Sequence, residues 1–195
     1  MTTDLELFML WNNGRKLEEQ IIEDIQKQYE IISLCEVSWS KEHFATNLAR
    51  FYGKNLRKGR KKIKESGTGP FLLIVVADHS PQYYNGKNIN LTTSKSKYRK
   101  LFGGGYMVHA SDCAKEAFEN FLFLTGENLA DFAQNKKGSP IAFGDPVGFK
   151  PWQDEPEISQ LLSKIPDCQI DFKQAPICIK TSDPNFVARL LNAKK

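Results

Sequence analysis

Residues 70–77, PFLLIVVA, form an almost unbroken apolar run, preceded by the turn formers SGTG and followed by Asp78. A run of that length without polar alternation is the pattern of a strand inside a sheet. Residues 7–11, LFMLW, repeat the pattern near the start of the chain and end in NNG, so a second central strand is expected there. The segment KLEEQIIEDIQKQ sets Leu17, Ile21, Ile22 and Ile25 on one stripe, which predicts a helix with a single buried face. Residues 29–39, YEIISLCEVSW, are rich in β-branched and aromatic side chains and predict a strand. Ser40 offers an N-cap for a helix through KEHFATNLARFYG, and KNLRKGRKKIKE at 54–65 prolongs that helix or starts another, weakened by Gly59.

From Asp78 to Gly105 no periodicity is evident, and a long functional or mobile loop is expected. YMVH at 106–109 reads as a short strand. Ser111 or Asp112 then caps a helix whose Ala114, Ala117, Phe118, Phe121 and Leu122 share a face. Beyond Phe132 the composition turns to Gly and Pro, and an extended excursion is expected, then a short helix at 156–164, a strand at 175–180 and a last helix at 184–192.

With 195 residues, 41% hydrophobic and 26% charged, the chain suits one folded domain with an appended segment and not a disordered one. No apolar run approaches bilayer length, and the short apolar stretch near the start lacks a preceding basic region, so a cytoplasmic protein without a membrane partner is expected. Cys35, Cys113, Cys168 and Cys178 have neither CxxC spacing nor clustered histidines, which argues against structural zinc and a disulfide framework. The net charge of +4 is concentrated at 54–64 and 95–100. Those stretches invite a phosphate-bearing partner, while a solvated helix face and a mobile loop account for the same lysines equally well.

The order of elements is that of a ferredoxin-like βαββαβ domain, an α/β (α+β) chain with an antiparallel sheet and helices on one face. In this setting GGGYMVHASDCAKEAFENFLFL, residues 103–124, resembles the signature of the nucleoside diphosphate kinases, in which a histidine followed by a small residue, Ser and Asp enters a helix. The resemblance continues in register through ELFMLWNNG, EEQIIEDIQKQYEIISLCEVSWSKEHF and SGTGPFLLIVV. It covers residues 5–133. It implies a kinase-like domain over 1–133, with 134–195 an irregular C-terminal extension packing on it or on a neighbouring subunit of a homo-oligomer.

The activity implied is a phosphotransferase moving the γ-phosphate of a nucleoside triphosphate to a diphosphate through a phosphohistidine at His109, with magnesium (Mg²⁺) bound with the nucleotide. A neutral imidazole is a good nucleophile near pH 7, and a covalent intermediate splits one transfer into two easier in-line steps. Phosphates also need cations and the N–H groups of a helix start, which Ser111 and its helix would supply. Helical spacing makes Glu116 a candidate partner for the second ring nitrogen of His109. Arg15, Lys97 and Arg99 are candidate phosphate clamps, with Thr93 as a hydroxyl donor. Phe44 and Phe51 or Tyr52 lie in the region of the family's aromatic base contacts.

This chain also departs from the pattern. Trp11 stands where the family has a lysine, Tyr106 where it has an asparagine three residues before the histidine, and Ala110 where a glycine follows it. Asn120 takes the place of the glutamate that holds the histidine's other nitrogen. A second reading follows, a nucleotide-binding or regulatory protein on the same scaffold without transfer. A third is an RNA-binding module, for which the basic 54–64 stretch speaks and the lack of an RNP-like aromatic run speaks against. Cys113, beside a helix start, reads as an inert thiol, with a cysteine–histidine pairing as the alternative.

Overall fold

The computed structural model describes residues 3–53, 59–135 and 141–148, and the backbone of two short strands at 169–171 and 178–180. The two apolar runs become adjacent central strands: β1 (Asp4–Leu10) and β3 (Phe71–Asp78) pair antiparallel from Asp4↔Asp78 to Leu10↔Leu72. β2 (Glu30–Val37) flanks β3 and β6 (Val108–Ala110) flanks β1, both antiparallel. With β7 (Ile141–Phe143) running parallel to Cys35–Val37, the strand order is β6-β1-β3-β2-β7. The first four strands give the antiparallel order of a ferredoxin-like βαββαβ unit, and β7 covers part of the β2 edge.

Helices lie on both faces of this sheet, where one covered face was expected. Leu7 and Met9 of β1 with Leu73 and Val75 of β3 pack against α2 (Phe44–Tyr52), α5 (Ala114–Thr125) and α6 (Leu129–Asn135). Phe8 and Leu10 with Leu72, Ile74 and Val76 pack against α1 (Glu18–Gln26) and α4 (Ile89–Leu101). The physical reason was in the pattern itself: β3 is buried at all eight positions, which an unbroken apolar run requires and an alternating one does not.

The stretch 78–105 is mostly ordered secondary structure instead of a loop. A hairpin of β4 (Tyr83–Tyr84) and β5 (Lys87–Asn88) turns through Asn85 and Gly86, both at positive φ, and the 13-residue α4 follows. Asn88 caps that helix, its side chain accepting from Asn90 N. α4 escapes a periodicity search because its buried positions are Leu91, Ser94 and Tyr98, only one of them aliphatic.

Two expected caps do other work. α2 begins at Phe44, with His43 at the cap position, while Ser40 N donates to Asp145 Oδ1 (2.9 Å). Ser111 does not cap α5: its Oγ donates to Glu6 Oε2 (2.6 Å) and accepts from Leu7 N (3.0 Å), tying the segment after β6 to β1. The start of α5 is closed from within the helix, by Glu116 Oε2 accepting from Asp112 N (2.6 Å). The short strand near the histidine is Val108–Ala110, shifted from the expected 106–109. In the C-terminal part, β8 (Gln169–Asp171) pairs antiparallel with β9 (Cys178–Lys180), and the expected helices at 156–164 and 184–192 lie outside the described residues. No helix among the described residues is long and apolar enough to cross a membrane.

Candidate functional site around His109

His109 sits in β6 opposite Met9, so its side chain joins the face covered by α2 and α5. It is 6% exposed. Phe51 and Tyr52 from the end of α2 meet the imidazole edge-on, with ring centroids 5.3 and 5.5 Å away. From α5, Asn120 Nδ2 lies 3.4 Å and Glu116 Oε1 3.7 Å from Nε2. These two residues are one helical turn apart, so both reach the same ring nitrogen. Chemically they differ. A carboxylate only accepts and would fix the proton on Nε2, whereas an amide presents either a donor or an acceptor and leaves the tautomer unforced. Glu116 divides its oxygens between Asp112 N and the imidazole.

Trp11 is fully buried in a cluster of rings: Trp39, Phe44, Phe51 and Phe71 stand 4.6 to 6.3 Å from it. The end of β1, where the resemblance implies a lysine, is therefore filled with aromatic core. Phe44, 2% exposed, belongs to that cluster and offers no open face for a base. The Trp11 indole N–H lies toward the Tyr52 hydroxyl, outside hydrogen-bonding geometry, and the Trp39 N–H has no partner among the described residues. Burial holds the Tyr52 hydroxyl well above its ordinary pKa.

Next to Tyr52 stands a residue that sequence reasoning missed. Lys62, from α3 (Gly59–Ser66), places Nζ 3.2 Å from the Tyr52 ring centroid and 5.0 Å from that of Tyr106. It is buried, and desolvation followed by the nearby Arg99 lowers its pKa to about 8. Arg99, in the last turn of α4, donates from Nε to Val108 O (2.8 Å), next to His109 in the chain. The expectation of a solvated basic face at 54–64 thus fails at Lys62, although Arg60, Lys61 and Lys64 are exposed. Nothing in KGRKKIKE distinguishes Lys62 from its neighbours.

Of the residues singled out in the sequence, the fold gathers His109, Glu116, Asn120, Phe51, Tyr52, Tyr106 and Arg99. The others stand apart or are occupied. Arg15 is held by Glu18 Oε2 and Glu36 Oε2, each at 2.6 Å, and the bond to Glu18, with that to Glu36, raises its pKa against the opposing effect of burial. Lys97 meets both Asp24 oxygens at 2.7 Å, and Thr93 is an exposed position of α4. The Ser111 hydroxyl is engaged with Glu6, as described. Burial raises the Cys113 thiol pKa, the opposite of activation. No group of three or more His, Cys, Asp or Glu side chains converges among the described residues, so these residues build no cage for a metal ion.

No protein-family model and no curated protein matches this chain. Among solved structures, the nucleoside diphosphate kinase of Aquifex aeolicus aligns over 65% of this chain and 99% of its own, at 16% identity and a TM-score of 0.44. The apo enzyme of Encephalitozoon cuniculi aligns over 64% of this chain and 90% of its own, at 15% identity and a TM-score of 0.42. A Borrelia burgdorferi nucleoside diphosphate kinase, a transition-state mimic with bound vanadate and ADP, covers 59% and 82% at 15% identity and a TM-score of 0.38. All three are nucleoside diphosphate kinases, and the likeness concerns the fold alone.

Proposed function

We propose that the chain binds a nucleoside di- or triphosphate beside His109 and does not pass the phosphoryl group through that histidine. The observation that carries this reading is the closure of the imidazole, 6% exposed and packed against Phe51 and Tyr52, with an amide at Nε2 where transfer chemistry calls for a carboxylate. In-line attack needs a ring nitrogen of fixed tautomer presented at about 3–3.5 Å from phosphorus, and a nearly buried imidazole with two neighbouring rings packed against it works against that approach. Trp11 in place of a lysine removes one cation from the same region. Binding is favoured by what remains: Lys62 and Arg99 are two cations beside aromatic rings at the edge of the histidine's surroundings. Magnesium would enter on the nucleotide, neutralising phosphate charge, since the described residues supply no cage of their own.

The competing reading, transfer through His109, draws on the Glu116 carboxylate 3.7 Å from Nε2. One pair of measurements separates them. Thermal melts with ATP, GTP, ADP and GDP in magnesium should rise, with stabilisation of about 2.7 kcal/mol at about a hundredfold excess over Kd. Incubation with [γ-³²P]ATP should leave no acid-labile, base-stable label. An unchanged melting temperature with all four nucleotides would remove the binding proposal, and label abolished by His109→Ala would establish transfer instead.

A further inference from the structure

We propose that Lys62 is the principal phosphate-binding residue of this site, acting with Arg99 on the terminal phosphate of the bound ligand beside Tyr106. The identity of the ligand as a nucleotide rests on the reading above; the existence of an anion site does not.

Lys62 is 6% exposed, and a lysine that deep is ordinarily paired with a carboxylate. This one is not: among the described residues its ammonium meets two phenol rings and no acid. Of the carboxylates in the neighbourhood, Glu116 holds Asp112 N and faces His109, while Glu65 reaches Lys61 through Oε1 at 3.5 Å and keeps Oε2, beside Gly105, without a hydrogen-bond partner among the described residues. The ring contacts compensate only part of the desolvation, because a ring quadrupole is a weaker partner than a formal charge. A second cation worsens the balance, since Arg99 is close enough to push Lys62 further toward its neutral form. Two like charges in a semi-dry site, neither paired with a carboxylate among the described residues, are stabilised together by one doubly charged ligand group.

The lysine is also positioned. α3 is pinned near its end, where Ser66 Oγ donates to Tyr106 O (3.3 Å) and Asn13 Nδ2 donates to Glu65 O (3.0 Å). Lys62 lies one turn before that anchor, while Arg60, Lys61 and Lys64 face solvent. An inward lysine among outward ones, held against the same tyrosine that touches His109, is what a phosphate site requires and a solvated helix face does not.

The test uses the full chain. Lys62 is titrated through its ¹³Cε signal, assigned with Lys62→Arg, without and with pyrophosphate, and ADP affinity is measured by calorimetry for the native chain, Lys62→Met and Lys62→Arg. Methionine keeps the unbranched packing on Tyr52 and removes the charge. Pyrophosphate should raise the Lys62 pKa by about one unit or more, and Lys62→Met should weaken ADP at least about tenfold while Lys62→Arg stays within about threefold. A Lys62 titration unmoved by pyrophosphate, with ADP bound equally well by Lys62→Met, overturns the proposal and leaves the nucleotide reading standing. A native chain that binds no nucleotide yet shows the pyrophosphate shift sinks that reading and keeps the anion site. The native-chain titration decides the matter even where Lys62→Met does not fold.

Discussion

The two faces of the sheet are equally well packed but unequal in how their polar groups are satisfied. On the α1/α4 face the buried and half-buried groups find protein partners: Tyr29 and Ser94 share a hydrogen bond of 3.1 Å, Tyr98 OH and Lys97 both reach Asp24, and Lys95 reaches Ala110 O. On the α2/α5 face two indole N–H groups lack partners among the described residues, a buried lysine faces rings instead of a carboxylate there, and His109 rests against an amide with the Glu116 carboxylate farther off. Native proteins leave few buried polar groups unpaired, and those they leave call for a reason. The first face reads as a self-sufficient scaffold, and the second as a surface that a ligand would complete.

The severest way to break this comparison is to attack the packing of the second face. Trp11 is fully buried among Trp39, Phe44, Phe51 and Phe71. Trp11→Ala should cost about 3–5 kcal/mol in urea unfolding, the range for a large aromatic truncated in a core. A loss below about 1 kcal/mol would show a loose face and dissolve the claim of equal packing. Trp11→Lys, which restores the residue implied by the resemblance, places a charge among the same rings. It should destabilise at least as much and gain no label on His109.

Glu6 sharpens the comparison from the other side, as a buried acid within the scaffold face, beside the buried Asp78. It is fully buried on β1, bonded by Ser111 Oγ (2.6 Å) and more weakly by Asn88 Nδ2 (3.4 Å), and desolvation raises its pKa from 4.5 to about 7. A carboxyl whose folded pKa lies above its unfolded value stabilises the fold in its protonated form. That contribution is whole below about pH 4.5 and fades as pH rises through about 7. Glu6→Gln keeps a neutral, hydrogen-bonded group, so relative to the native chain its stability should improve between pH 5 and pH 8 by about 3 kcal/mol at most. A difference that stays constant across that range would mean Glu6 titrates normally.

Gly14 probes the joint between β1 and the segment leading to His109. A Cβ there would come 2.6 Å from Met107 O, a backbone atom already accepting from Trp11 N at 3.0 Å. Gly14→Ala should therefore cost about 1–3 kcal/mol by overpacking and shift the resonances of Met107 to His109. Unchanged stability would show that this joint gives way freely.

What the sequence revealed and what it hid follow the same division. β1 and β3 were legible because unbroken apolar runs are buried on two sides, and the same logic, pressed further, would have put helices on both faces. α5 was legible from its apolar stripe. α4 was not, since Leu91, Ser94 and Tyr98 face inward and two of them look polar. Ser111 reads as a cap in one dimension, but its hydroxyl is captured by Glu6, 105 residues away in sequence. His109 could be picked out because a pattern surrounds it, and Arg99 only as one of the basic residues at 95–100. Lys62 could not, because its role depends on which way one lysine of a basic run points, and only the packing of α3 decides that.

The mildest test separates the faces by ligand instead of by stability. Lys97, one of the residues that the resemblance offered as a phosphate clamp, lies on the scaffold face with its side chain 55% exposed and both Asp24 oxygens at 2.7 Å. The bond lowers the Asp24 pKa, yet an ion pair this open to solvent is screened and contributes about 0.2–1 kcal/mol, less in high salt. Lys97→Ala should therefore lower stability by no more than that and leave ADP affinity within about twofold, because its charge is already neutralised by a protein acid. An ADP affinity that instead falls about tenfold would place the phosphates on the α1/α4 side. The self-sufficient face would then be the binding face, and the inequality between the two would run the other way.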